Sequence, residues 1–294
     1  MCSYAGLSEF RNISKANYNS LQVSLAKQIA NTHSLGRTYF NFSYTLSHSI
    51  DNASGFRQRS SSVPTYNPNL YRGSSDQDVR NRITFSGGWD LPFDTMWQSG
   101  PKRLTQGWSL FPIVTWRSGL PFDVYARLRD RFNPGAEGPS GAGDPYNVHP
   151  NVVGSLAQQN PRLAQDFGNG IGNYWFDPNS LSRDRCGAVV DSTCLPTNAQ
   201  VVADPSLATY GTLPRNYFRG PSYVNFDLAV SKTTTITERL KLEIRAEFFN
   251  VLNHAQFENP GINGNGTSIT SSQFGQITST YDPRIIQLAA RLTF

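Results

Sequence analysis

The chain ends with Arg284-Ile-Ile-Gln-Leu-Ala-Ala-Arg-Leu-Thr-Phe294, a stretch whose side chains alternate between apolar and mostly polar. The apolar positions recur at every second residue, at Ile286, Leu288, Ala290, Leu292 and Phe294. A period of two predicts a β-strand with two different faces. Because the apolar face extends to the last residue, the stretch is typical of a strand that lies between hydrocarbon on one side and water on the other.

The same alternation occurs in six earlier stretches, and each is predicted to be a strand. They cover residues 18–30, 37–50, 78–91, 107–118, 222–234 and 239–251. The fourth stretch alternates poorly, since Phe111 and Ile113 make its second face apolar, and it could resume through Phe122 and Val124. Pro112 removes a backbone donor from this strand, so we expect a β-bulge or a local sheet edge there.

The connections between these strands alternate in length along the chain. In order they are short, long, medium, very long, short and long, at residues 31–36, 51–77, 92–106, 127–220, 235–238 and 252–283. Successive connections of an antiparallel sheet lie at opposite ends, so all the long ones share one end. Bacterial outer-membrane barrels have this asymmetry, whereas a soluble β-sandwich has no need of it. The predicted fold is all-β, an antiparallel transmembrane β-barrel segment with long extracellular loops and short periplasmic turns.

Composition agrees with a strand-rich membrane protein and excludes some other classes. The 294 residues include 16% charged and 12% aromatic residues, with 24 glycines and 18 prolines. No run of about 18 apolar residues exists, so no membrane-spanning helix is predicted. The net charge of +5 is spread over loops and forms no concentrated patch, which argues against nucleic acid as a partner. Solvated loop charge and contact with anionic headgroups or an anionic ligand both remain as interpretations.

An odd number of strands leaves the first and last with unpaired edges, which is costly in hydrocarbon. The N-terminal residues lack the basic and apolar regions of a signal peptide. We therefore expect residues 1–294 to be the C-terminal part of a larger barrel, with residues 127–220 as a long extracellular loop. The alternative is an eighth strand within residues 1–12 that closes a small barrel.

Few residues suggest chemistry. Cys186 and Cys194 lie in one polar loop, where they could form a local disulfide or remain free thiols. His48 beside a serine could be a hydrolase dyad, but a polar residue at a strand end is favoured. Asp76 and Asp78 could hold a cation, although the start of a strand is favoured. The expectation is a protein without metal site, cofactor or enzyme activity.

Charged side chains fall on the polar parity and are predicted to face a water-filled lumen. They are Arg80, Arg82, Asp90, Asp227, Lys241, Glu243, Arg245, Glu247 and Arg291. A turn centred on Ile236 would place Asp227 opposite Arg245, and this register is predicted because a shift to Thr237 would oppose Asp227 to Glu247. Aromatic residues near strand ends predict interfacial girdles: Trp89, Phe93 and Trp108 at the short-connection end, Trp116, Phe122 and Tyr125 at the other.

Five stretches follow one another in an order and spacing that resembles a known family. They are Asp76-Gln-Asp-Val-Arg-Asn-Arg-Ile-Thr-Phe-Ser-Gly87, Gly107-Trp-Ser-Leu-Phe-Pro-Ile-Val-Thr-Trp-Arg-Ser-Gly-Leu-Pro-Phe122, Leu213-Pro-Arg-Asn-Tyr-Phe-Arg-Gly-Pro-Ser-Tyr-Val-Asn-Phe-Asp-Leu228, Leu242-Glu-Ile-Arg-Ala-Glu-Phe-Phe-Asn-Val-Leu-Asn-His-Ala-Gln-Phe257 and Phe274-Gly-Gln-Ile-Thr-Ser279. With the terminal strand, they resemble the C-terminal barrel segment of Oar-like TonB-dependent receptors of the acidobacterial type.

This resemblance implies an outer-membrane transporter with about 22 strands and a plug in its lumen. Outer-membrane lipid is then a partner, and the TonB complex acts only through an N-terminal part that these 294 residues do not include. The terminal strand resembles the signal that the barrel-assembly machinery recognises, which assigns that role to Leu288, Leu292 and Phe294. The alternatives are a surface or adhesion protein that binds through its long loops, and a non-functional gene fragment. No substrate can be derived from the sequence.

Overall fold

The computed structural model describes residues 14–32, 36–52, 54, 69, 72–124, 149–182, 211–262, 266–269 and 271–294. In chain order its elements are β1 (Ala16–Thr32), β2 (Gly36–Asp51), β3 (Gly73–Ser74), β4 (Asn81–Asp90), α1 (Phe93–Met96), α2 (Lys102–Thr105), β5 (Trp108–Arg117), β6 (Pro121–Phe122), β7 (Asn151–Val152), β8 (Gln165–Asp166), β9 (Ile171–Gly172), a 3-10 turn (Pro178–Ser180), β10 (Leu181–Ser182), β11 (Phe218–Arg219), β12 (Tyr223–Thr235), β13 (Lys241–Phe249) and β14 (Ile285–Thr293). Within the described residues, no helix is long and apolar enough to cross a membrane.

The long strands form one antiparallel sheet in the order β1-β2-β4-β5-β12-β13-β14, and β3 pairs with the end of β2. These are the seven predicted strands, and the fold prediction is confirmed. The sheet is open: in the described part of the chain, β1 pairs only with β2, and β14 pairs only with β13. The alternative of an eighth strand concerns residues 1–12, which lie outside the described residues.

The observed register gives the sheet two chemically different faces. One cross-strand row of the apolar face runs through Leu25, Phe42, Phe85, Val114 and Phe226. The neighbouring row, on the opposite face, runs through Ser24, Ser43, Thr84, Thr115 and Asn225. Side chains alternate across a strand, so the period-two pattern of each strand becomes one apolar and one polar surface.

Pro112 interrupts one ladder without shifting the register. The β4–β5 pairing is regular up to Ser86↔Ile113 and resumes in the same register at Trp89↔Leu110. The Leu91 N–H donates to the Trp108 carbonyl, so every second pair of the β4–β5 ladder from there is at a hydrogen-bonding position. Gly87 and Pro112 lie opposite each other at such a position, and proline has no N–H to donate. The β5–β12 ladder passes Pro112 unbroken. Of the two expectations at Pro112, the bulge is wrong and the local edge is confirmed, because Gly87 and Gly88 have no partners in the β4–β5 ladder. The described bulge in a long ladder lies in β1, between Lys27 and Ala30.

The predicted register of Asp227 is also wrong. The Ile236 N–H donates to the Leu240 carbonyl, which closes the hairpin over Thr237, Glu238 and Arg239 rather than at Ile236. Ser231 consequently faces Arg245. The hairpin turns later than expected because β-branched threonines extend β12 to Thr235.

Asp227 and Arg245 each have other partners in this register. Arg245 Nε lies 2.8 Å from Glu247 Oε1 as an ion pair along β13. The Asp227 carboxylate accepts hydrogen bonds from the Asn225 side chain and the Asn250 backbone. Asp227 nevertheless stays on the polar face, because the residue opposite Arg245 changes from Asp227 to Ser231, a displacement by an even number of residues.

The two ends of the sheet differ in structure. At one end lie the tight β12–β13 hairpin and the β4–β5 connection with its two single-turn helices, α1 and α2. At the other end the connection between β5 and β12 folds on itself through short strand pairs: β6 with β11, β7 with β10 and β8 with β9. A bridge between Tyr174 and Gln276 joins it to the connection that precedes β14. Phe122, predicted to be interfacial, is buried there. Tyr125, Cys186 and Cys194 lie outside the described residues.

Candidate functional site

An apolar core holds the long connections together beyond the ends of the strands. It consists of Phe122, Val124, Trp175, Phe176, Leu181, Leu213, Phe218, Phe274 and Ile277. The rings of Phe176 and Phe218 stack with their centroids 4.4 Å apart, and Phe122 stacks on Phe218 at 5.6 Å. The Trp175 indole N–H donates to the Arg219 carbonyl at 2.7 Å, which satisfies the one polar atom of that side chain. We call this assembly the loop core.

Beside the loop core, Arg215 joins segments that are far apart in sequence. Its Nη1 donates to Asp51 Oδ1 at 2.7 Å, and its Nη2 donates to Asp76 Oδ1 at 3.0 Å and to Ser54 Oγ at 2.6 Å. The side chains of Arg215 and Asp51 are only 6% and 7% exposed. Burial alone would lower the pKa of Arg215, but the hydrogen bond and charge of Asp51, with those of the other aspartates, raise it. The guanidinium therefore stays charged.

Asp78 forms a second ionic junction and is 1% exposed. Its carboxylate accepts hydrogen bonds from the Ser49 N–H at 2.7 Å and from Arg80 Nε at 2.9 Å. Arg219, which is 141 residues further along the chain, donates another hydrogen bond to the same carboxylate. Burial would raise the pKa of Asp78, but the Ser49 hydrogen bond and the two arginines together lower it. His48 Nδ1 lies 3.4 Å from the same carboxylate.

A third contact links Asp123 with His149, whose Nε2 lies 2.9 Å from the carboxylate. Asn216 connects this contact to the first junction, because its N–H donates to Asp123 and its side-chain amide donates to Asp76 Oδ1 at 2.6 Å. Asn216 adopts a positive φ of 52°, a conformation that asparagine tolerates better than most residues.

A cleft of about 240 Å³ opens between these junctions and the loop core. Its walls offer carboxylate, amide and guanidinium groups beside a little apolar surface. The lining residues are Asp76, Pro121, Phe122, Asp123, Arg215, Asn216, Asn259, Pro260, Gly261, Ile262 and Thr267. The cleft has room for a small polar solute, yet its charged groups already bind one another. No group of three or more potential metal ligands occurs among the residues that the structure describes.

The polar face of the sheet forms a second candidate surface and contains the charges predicted to face the lumen. Asp90 faces Arg37 at 3.8 Å, and Glu243 faces Arg291 across the β13–β14 pair. Lys241 lies opposite Thr293 on this face. Arg80 is the exception, since it precedes β4 and binds Asp78 in the loops.

Sequence reasoning placed some site residues and missed others. Asp76 and Asp78 precede β4, which begins at Asn81, and each pairs with an arginine. His48 contacts Asp78 and Arg80, and no serine partner is found for its side chain among the described residues. Leu288, Leu292 and Phe294 lie exposed on one face of the terminal strand. The junctions of Arg215 and Arg219 were missed, although both arginines lie in one of the five quoted stretches and two of their partners, Asp76 and Asp78, lie in another.

Known proteins provide one clear match. A model of an outer membrane beta barrel domain matches residues 2–287, nearly the whole chain. Comparison with curated proteins and with solved structures gave no match. The family agrees with the two-faced antiparallel sheet, whose apolar side contacts lipid and whose polar side lines the lumen. This chain therefore belongs to the outer-membrane β-barrel domain family, and its place is the bacterial outer membrane.

Proposed function

We propose that this chain forms part of the wall of a TonB-dependent transporter, through which a solute is taken up at the expense of energy from the inner membrane. The observation that supports this most is the open sheet: among the described residues, β1 pairs only with β2 and β14 pairs only with β13. Unpaired strand edges are costly in lipid, so in this proposal further strands pair with β1 and with β14. A barrel of about 22 strands, as the resemblance implies, has a lumen large enough for a plug and a substrate path.

The loop contacts give independent support. The stretches that begin at Asp76 and Leu213 resemble TonB-dependent receptors, and the structure brings them together through Arg215 and Arg219. These contacts thus connect two of the stretches that carry the resemblance across about 140 positions of sequence. In this proposal the wall binds and guides a solute and does no covalent chemistry.

Uptake can be tested in the host. The gene is deleted, and growth is compared on panels of ferric chelates, oligosaccharides and peptides as sole nutrient sources, in cells with and without a working TonB complex. We expect at least one nutrient whose use requires both the gene and TonB. Unchanged growth on every nutrient, or a nutrient that requires the gene but not TonB, would overturn the proposal.

An adhesion protein is the second candidate, because the loop end exposes apolar side chains. Leu163, Ile171 and Tyr217 are 60%, 79% and 51% exposed, and Ile171 belongs to the β8–β9 pair. Deletion of residues 127–220 separates the two functions. Loss of cell adhesion with retained uptake would favour adhesion, and loss of uptake with retained adhesion would favour transport.

We also propose that the barrel-assembly machinery recognises the exposed apolar face of β14 through Leu288, Leu292 and Phe294. A strand end whose apolar side chains are 75%, 54% and 95% exposed can pack against another protein before it meets lipid. Removal of Phe294 should lower the amount of folded barrel in the outer membrane, measured by heat-modifiable migration on gels. Normal assembly without Phe294 would count against this role.

A further inference from the structure

Two arginines face each other on the lumen side of the sheet. The register of the β4–β5 ladder places Arg82 directly opposite Arg117. The Ser118 N–H donates to the Asn81 carbonyl, so the next pair, Arg82 with Arg117, occupies a non-hydrogen-bonded position. Side chains come closest at such positions, and like charges that oppose each other there are destabilising.

No carboxylate of the described residues lies within ion-pair distance of either guanidinium, although other lumen charges are matched. Arg245 pairs with Glu247, and Arg37 pairs with Asp90. Arg82 is exposed on this face, with Thr45 on its other side. The guanidinium N–H groups of Arg82 are therefore directed only to solvent within the described chain.

Arg117 is held in place by neutral groups. Its Nη2 donates to the Tyr281 hydroxyl at 3.0 Å, and its guanidinium lies over the Tyr223 ring, 5.3 Å from the centroid. The two tyrosine rings pack edge to face with their centroids 5.0 Å apart, so the cation lies against a pair of packed aromatic rings, the aromatic ledge. Neither tyrosine neutralises the charge, and the remaining guanidinium donors stay available.

Hydroxyl groups continue the same surface one step towards the middle of the barrel. Thr84 faces Thr115 in the next pair of the polar row, and Ser43 Oγ lies 2.5 Å from Thr84 Oγ1. Two cations, several hydroxyls and an aromatic ledge thus lie together just below the loop core. We call Arg82, Arg117, Thr84, Thr115 and Tyr281 the arginine patch.

We propose that the arginine patch is a binding site for an anionic solute, one that bears a carboxylate or a phosphate. Planar guanidinium groups bind such anions through paired N–H donors, and an anion between the two arginines removes their repulsion. The inference rests on the proposed function, because the solute must enter the lumen. It adds the chemical class of the solute and the residues that select it.

Equilibrium binding to the purified, folded barrel in lipid nanodiscs tests the site without any need for transport. The probes are succinate, its neutral analogue succinamide and inorganic phosphate, titrated calorimetrically at low salt. We expect the wild type to bind succinate or phosphate and not succinamide. Arg82→Gln and Arg117→Gln should each weaken anion binding about tenfold, because each removes charge-assisted hydrogen bonds.

Arg291→Gln is the matched control, since Arg291 lies on the same face but faces Glu243. Its binding of succinate should stay within about twofold of the wild type. Equal weakening by all three variants would show diffuse attraction to a positive lumen and would overturn the proposal. Failure of the wild type to bind either anion would overturn it too, whatever the uptake experiment shows.

Thermal unfolding provides a second measurement that does not depend on affinity. Without anion, Arg82→Gln should melt higher than the wild type, because it removes the repulsion across the ladder. Succinate should raise the melting temperature of the wild type more than that of Arg82→Gln, because the variant binds succinate more weakly. A lower melting temperature for Arg82→Gln, in a variant shown to be folded by gel migration, would mean that the two cations do not repel and would contradict the argument.

Discussion

Replacement of Arg215 by methionine should loosen the long connections while the sheet stays intact. The change keeps the length of the side chain and leaves Asp51 buried without its cation. Loss of one partner of a buried ion pair costs about 3–5 kcal/mol. The lower value applies because Asp76 is 49% exposed and Asp51 keeps the Ser54 hydroxyl. We therefore expect the local free energy of opening of these loops to fall by about 3 kcal/mol.

Hydrogen exchange followed by mass spectrometry measures this opening segment by segment. A loss of about 3 kcal/mol should speed amide exchange in residues 72–78 and 211–219 roughly a hundredfold. Amides of β13 should exchange at the wild-type rate, because they belong to the sheet. Arg37→Met is the control: Arg37 and Asp90 are 57% and 48% exposed and 3.8 Å apart, so this exposed pair contributes less than about 1 kcal/mol.

A double variant separates lost charge pairing from lost packing. Addition of Asp51→Asn to Arg215→Met removes the unpaired buried carboxylate and should restore part of the protection. The reasoning is refuted if Arg215→Met speeds loop exchange no more than Arg37→Met does. It is also refuted if β13 loses protection together with the loops, because the junction would then support the whole sheet.

Three further predictions concern the loops and the Pro112 ladder. The lowered pKa of Asp78 gives the loops stability that is fully present above the ordinary value of 3.8 and is lost as the pH falls through the lower folded pKa. Pepsin, which is active in acid, should therefore cut the loops faster as the pH falls below about 3.8, and Asp78→Asn should abolish that step. Phe218→Ala, at a buried position, should lower the free energy of opening of the loop core by about 3–5 kcal/mol, measured by hydrogen exchange. Tyr217→Ala, at an exposed neighbouring position, should lower it by less than about 1 kcal/mol. Similar losses in the two variants would show that the ring stack is unimportant. Pro112→Val supplies an N–H opposite Gly87 and should raise the free energy of unfolding of the barrel by about 1 kcal/mol. The variant should then need a higher temperature than the wild type before its migration on gels changes to that of the unfolded form. A lower temperature would contradict the missing hydrogen bond at Pro112.

The faces of the strands could be predicted from the sequence because they depend only on local alternation. Leu242 and Glu243 take opposite faces whatever strand lies beside them. The register needed more information, because the hairpin after β12 closes at Ile236 and Leu240 and no residue there prescribes a particular turn. The error displaced partners by an even number of residues, so each side chain kept its predicted face while its predicted partner was wrong.

The loop junctions could not be predicted for a different reason. Asp78 and Arg219 are 141 residues apart, and no periodicity marks either of them as buried. A single aspartate before a strand is usually solvated. Asp78 is buried because the loops pack over it, and that packing cannot be read from the sequence. Gly88 presents a similar case within the sheet: the Tyr39 ring lies over it so closely that a Cβ at this position would overlap the ring. The sequence gives the glycine and the tyrosine but not their contact.

The ionic junctions stabilise the long connections, which lipid does not contact. Lipid orders the apolar face of the sheet, but the long connections lie in water and have only a small apolar core of their own. Burial of a few aromatic side chains favours compact loops without choosing one arrangement among many. Arg215 accepts only a geometry that brings Asp51 and Asp76 to its two nitrogens, since any other arrangement leaves a buried charge unpaired. The junctions thus select one loop conformation at the end of the sheet where Arg82 faces Arg117.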